Sequence, residues 1–85
     1  MAEPAQTSDK IFIGLRLTRE RERLGLGVSE VARIAQCSRR IWQYYEQGRC
    51  APGSIVLGLL DAAGFDVVYI VAGRVGRPLV KERNS

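Results

Sequence analysis

Eighty-five residues are enough for one compact domain and too few for two, and 46% hydrophobic with 26% charged residues exclude a largely disordered chain. Thirteen Lys and Arg against nine Asp and Glu leave a net charge of +4, which suits a polyanionic partner without establishing one. Histidine is absent and Cys37 and Cys50 are a single pair, so a zinc site lacks ligands, no cofactor is expected, and both thiols read as small, reduced, partly buried side chains.

From Met1 to Asp9 the chain is small and polar, without the cationic start and apolar core of a secretory signal, so the expected site of action is cytoplasmic. Residues 1–10 lack periodicity and read as a flexible arm. Ile13, Leu17 and Leu24 then recur at helical spacing, while Arg16, Arg19, Glu20, Glu22 and Arg23 take the other faces. This is an amphipathic first helix, and Gly25 follows its last apolar residue, as a left-handed C-terminal cap requires.

A second helix spans Val28 to Ala35, with Val31, Ala32 and Ala35 on one face, Ser29, Glu30 and Arg33 outward, and Gly27 at its cap. Gln36-Cys37-Ser38 breaks the pattern. Ser38 is a good N-cap, because its hydroxyl can accept from the free N–H groups of a third helix running from Arg39 to Gln47, where Gly48 stops it. Residues 49–53 contain Pro52 and make a loop.

Ser54 is placed to cap a fourth helix, Ile55 to Ala63, ended by Gly64. It is apolar nearly all round, which predicts burial on more than one side. The run from Ile55 to Gly73 raises the question of a membrane span, but Asp61 and Asp66 interrupt it, Gly58 and Gly64 weaken it, and no membrane is expected. Asp66 can cap a fifth element ending at Gly73. The β-branched Val67, Val68, Ile70 and Val71 favour a strand there, and the capping residues favour a helix, which is the preferred reading. Residues 74–85 read as a loose tail after a domain of residues 11–73.

Two short helices joined by a three-residue turn are a helix-turn-helix candidate, so the predicted fold is all-α. Trp42 and Tyr45 lie three apart on the third helix and can both point inward, beside Val31, Ala35 and Cys37. The opposite face is then Arg39, Arg40, Gln43 and Tyr44, with Ile41 at its edge. Arg can bond guanine O6 and N7 together, and Gln adenine N6 and N7, so this face fits a major groove. Solvated charge or phosphate contact is the plainer reading of the same arginines, as stacking on bases is the less plain one for the aromatics. An enzyme finds no support: no nucleophile lies beside a base, no glycine-rich phosphate loop occurs, and Ser38 is explained by capping.

Arg21-Glu22-Arg23-Leu24-Gly25-Leu26, Val31-Ala32, Ser38 and Tyr45-Glu46-Gln47-Gly48-Arg49 together resemble the lambda-repressor-like, Xre-type helix-turn-helix family over most of the chain. The ending Gly64 to Gly73 is similar to the fifth helix of short phage- and prophage-associated members. The resemblance implies a five-helix domain and a transcriptional regulator, most simply a repressor, bound to double-stranded DNA. It also implies that Arg21 pairs with Glu46, that Arg39, Arg40 and Tyr44 contact bases with Gln43 more peripheral, and that Arg49 touches phosphate; Val28, Ser38 and Ile41 are further phosphate candidates. Two residues depart from the family pattern: Gln36 stands in the turn where glycine is usual, and Val28 stands where a glutamine usually meets the DNA backbone, leaving only a peptide N–H.

One recognition helix covers only a few base pairs, so a homodimer is expected, with Val56, Leu59, Leu60, Val68 and Tyr69 at its interface. An alternative within DNA binding is the antitoxin of a toxin-antitoxin pair, whose C-terminal tail would hold a partner protein.

Overall fold

The first helix begins earlier than its apolar pattern required, because Asp9 caps it: Oδ1 accepts the Ile11 N–H at 2.8 Å, and α1 runs Lys10–Arg23. The structure, a computed structural model, describes residues 9–76, so Asp9 and Lys10 belong to the folded part. The rest of the expected arm, and the tail from residue 77 with its partner-protein role, lie outside the described residues.

α2 (Val28–Ala35) and α3 (Arg39–Gln47) have the bounds that capping and periodicity predict. α4 (Ser54–Ala62) is shifted by one residue, with Gly53 rather than Ser54 at its N-cap. α5 (Val67–Ala72) is helical: Asp66 accepts the Tyr69 N–H at 3.0 Å, and this cap outweighs the β-branched run. The described residues form five helices and no strand, the all-α architecture expected.

Ile13, Leu17, Val31, Ala32, Ala35, Trp42, Leu60, Phe65 and Ile70 make one core. Trp42 is fully buried at its centre, edge-on to Tyr45 at 5.8 Å and to Phe65 at 6.5 Å between ring centroids. α1 packs on α3 and α5, while α2 packs on α3 and α4. The helix that carries the polar face is therefore clamped from two sides.

Two predictions about surfaces fail. Arg16 and Glu20, placed by periodicity on solvated faces of α1, are both buried. Arg16 Nε donates to the Ile70 carbonyl at 2.9 Å, and Glu20 accepts from the Asp66 N–H at 2.7 Å and from Arg23 at 2.7 and 2.8 Å. These hydrogen bonds tie α1 to α5 and offset part of the cost of burying the two polar side chains. Conversely, α4 buries only Leu60 fully and leaves Ile55 81% exposed, since α2 and α5 cover one side of it. Among the described residues, no helix is long and apolar enough to cross a membrane.

Candidate nucleic-acid interface

The turn between α2 and α3 sets the angle at which α3 is presented. Gln36 adopts the left-handed conformation, φ 57° and ψ 43°, that glycine usually supplies. The Cys37 N–H reaches the Ala32 carbonyl at 3.0 Å and the Gln36 N–H that of Arg33 at 3.1 Å, which closes α2 in a Schellman turn. The turn is therefore not reshaped by the loss of glycine. Gln36 carries the strain instead, about 1–2 kcal/mol for an L-residue in this region.

The far end of α3 is fixed against α1. At Gly14 a Cβ would stand 2.6 Å from the carbonyl oxygens of both Tyr45 and Glu46, so only hydrogen lets the two helices approach this closely. Gly48 ends α3 with φ 78°, and a Cβ there would lie 2.9 Å from the Ile11 Cα. Between these contacts Glu46 collects three donors: Arg21 Nε at 2.7 Å, Arg21 Nη2 at 3.3 Å and the Trp42 indole N–H at 2.6 Å. Arg21 Nη1 also donates to the Leu26 carbonyl at 3.1 Å. The two-point bond to Glu46 raises the Arg21 pKa above its ordinary value, and it joins the end of α1 to α3 with a fixed geometry.

With Trp42 buried by this frame, the other face of α3 is turned to solvent. Arg39, Arg40, Gln43 and Ile41 are exposed, and among the described residues no ion pair holds either arginine. Tyr44 is half-buried, with the Arg49 guanidinium carbon 4.5 Å from its ring centroid. Arg39, Arg40, Gln43, Tyr44 and Arg49 thus share α3 and the turn after it.

The backbone contacts expected from the N-termini fare less well. Ser38 Oγ accepts the Ile41 N–H at 3.0 Å, so that amide is not available to a phosphate, and Ile41 offers only an exposed apolar side chain. Glu30 reaches back to the Gly27 N–H at 2.7 Å, which places a carboxylate at the end of α2 where Val28 was expected to meet an anion. Val28 is therefore the weakest of the phosphate candidates. The expected dimer surface needs one correction as well: Leu60 is fully buried in the chain's own core and cannot meet a partner. Val56, Leu59 and Tyr69 are half-buried and Val68 is exposed.

Both cysteines are free and half-buried, and burial pushes the Cys37 thiol up. Among the described residues no cluster of His, Cys, Asp and Glu could hold a metal ion. Sequence reasoning overlooked Gly14, although an isolated glycine inside a helical pattern is a signal of close packing, and it overlooked the Trp42 indole as a second donor to Glu46.

The sequence model of a family described as a helix-turn-helix domain matches residues 13–72, from α1 to the end of α5. No curated protein and no solved structure matches the chain.

Proposed function

The chain belongs to the helix-turn-helix domain family, and from that premise we propose that it is a sequence-specific transcriptional regulator, a repressor of the lambda-repressor-like, Xre type, that lays α3 in the major groove of DNA. The observation that carries this reading is the division of α3: Trp42 fully buried on one side, and Arg39, Arg40 and Gln43 exposed on the other. Two arginines and an amide on a rigid helix are the groups that discriminate base edges, at about 1–3 kcal/mol for each good two-point contact. Arg49, beyond the end of α3, and the Ser38 hydroxyl, at its start, flank them as phosphate contacts that set register rather than sequence. The net charge of +4 assists encounter with the duplex.

A homodimer completes the mechanism. The open side of α4, with Ile55 81% exposed and Val56 and Leu59 half-buried, supports a pairing surface continued by Val68 and Tyr69. Two copies would then present their α3 helices to half-sites about 34–36 Å apart. The α5 segment, similar to the fifth helix of phage-associated members, fits repressors of this type.

Selection of bound duplexes from a random pool tests the proposal. A recovered motif of two inverted half-sites spaced by about one helical turn supports both parts of it. Failure to retard any duplex at low salt contradicts DNA binding, and a motif with one half-site, bound by a 9.4 kDa monomer in sedimentation, contradicts the dimer.

A further inference from the structure

We propose that Tyr44 acts as a positioning residue for Arg49 rather than as a reader of bases, an inference that rests on the DNA-binding reading above. Its basis is the way α3 ends. Gly48 is left-handed, and this brings the Arg49 N–H to the Tyr44 carbonyl at 2.9 Å and the Gly48 N–H to the Tyr45 carbonyl at 3.1 Å. In such a Schellman turn the residue after the glycine is folded back onto the residue five positions earlier. Here those two residues are Arg49 and Tyr44, and the guanidinium carbon lies 4.5 Å from the ring centroid, inside cation–π range.

The arrangement is built from more than one side. A Cβ at Gly48 would stand 2.9 Å from the Ile11 Cα, so α1 holds the turn that aims Arg49. Tyr44 is half-buried on α3, with its ring beneath the Arg49 guanidinium. Arg49 itself is exposed, and its guanidinium carbon lies over the Tyr44 ring, where stacking leaves the N–H groups of an arginine free to donate. An arginine that must be ordered on binding loses rotamer freedom at that moment; one already stacked has lost part of it beforehand. The ring face does this work, and the phenol oxygen is not required for it.

The test compares Tyr44→Phe, Tyr44→Leu, Arg49→Ala and the Tyr44→Leu/Arg49→Ala pair, each as the full chain. Binding is measured by fluorescence anisotropy against salt concentration, on the duplex that wild type selects from a random pool and on a scrambled duplex of the same length. Tyr44→Phe keeps the ring and is expected to bind both duplexes within about twofold of wild type. Tyr44→Leu removes it and is expected to weaken both by the same factor, about 2- to 10-fold, the range set by immobilising one such side chain. Arg49→Ala lowers the salt slope by about 0.9, and in its background Tyr44→Leu has no further effect.

Loss of preference for the selected duplex in Tyr44→Phe would overturn the inference, because it would make the phenol oxygen a base contact. An equal loss from Tyr44→Leu with and without Arg49 would also overturn it. Should Tyr44→Leu unfold, the Tyr44→Phe comparison decides alone. Absence of binding by wild type itself on any duplex at low salt is a separate outcome, and it removes the DNA-binding reading together with this one.

Discussion

Gly14→Ala and Gly58→Ala are the same chemical change in two helices, and the structure gives them opposite signs. Alanine is favoured over glycine inside a helix by about 1 kcal/mol, from propensity alone. At Gly58, on the exposed side of α4, a Cβ meets nothing within 4 Å, so the whole of that gain should appear. At Gly14 the Cβ falls 2.6 Å from the Tyr45 and Glu46 carbonyl oxygens, whereas carbon and oxygen approach to about 3.3–3.6 Å even in favourable C–H···O contacts. α1 and the end of α3 must then separate by most of an ångström, and neither neighbour is a flexible side chain. Overpacking of this kind costs about 1–3 kcal/mol. Taking the upper end, because two backbone atoms are struck at once, and subtracting the propensity gain leaves a net loss of about 2 kcal/mol. For a domain of this size 1 kcal/mol moves Tm by about 4–8 °C. Thermal unfolding followed by circular dichroism should therefore show Gly58→Ala raised by about 4–8 °C and Gly14→Ala lowered by about 8–16 °C. A Gly14→Ala protein that melts above wild type would refute the claim that a glycine contact seats α3 against α1.

Further predictions concern the turn, the ion pair, burial and the reading face. Gln36→Gly relieves about 1–2 kcal/mol of left-handed strain and costs about 0.5–1 kcal/mol through unfolded-chain entropy, so a net stabilisation of up to about 1.5 kcal/mol is expected in the urea midpoint; a lower midpoint contradicts it. Glu46→Gln deprives Arg21 of its charged partner and puts an amide where three donors converge, with an expected loss of about 1.5–3 kcal/mol at unchanged urea m-value. Burial raises the Cys37 thiol and the Tyr45 phenol above their ordinary 9.0 and 10.0. Both are half-buried as neutral groups, so their contribution is complete below those ordinary values and is lost as pH rises through the folded ones. Tm should accordingly fall in the alkaline range above about pH 9, and a rise there contradicts the assignment.

Much of this architecture is legible in the chain itself, and the parts that are not share a physical cause. The bounds of α2 and α3 follow from Ser38, Gly48 and the helical spacing of apolar residues, all of which act within a few positions. The burial of Trp42 follows in the same way, because Trp42 and Tyr45 mark the inner face of a short helix whose other face is polar. Periodicity places Arg16 and Glu20 on solvent because it records polarity and not partners. The Ile70 carbonyl and the Asp66 N–H that satisfy them come from α5, 54 and 46 positions away. Gly14 was passed over for the same reason: its meaning lies in the backbone of α3. Gln36 shows the converse. Its side chain argues against the usual turn, yet the hydrogen bonds to the Ala32 and Arg33 carbonyls close the turn in the left-handed conformation. The face of α4 depends on what packs on it, and the same apolar pattern describes a helix covered on all sides and one covered on a single side.

Reading of base edges by the outward side of α3 is tested most directly by the ratio of affinities for the selected and the scrambled duplex in wild type and in Arg39→Ala. Base reading predicts that Arg39→Ala lowers this ratio by about 5- to 150-fold, corresponding to about 1–3 kcal/mol for one lost two-point contact. It further predicts that binding to the scrambled duplex changes far less. A ratio left unchanged, with both affinities reduced equally, would show Arg39 to be a phosphate contact and would contradict the account.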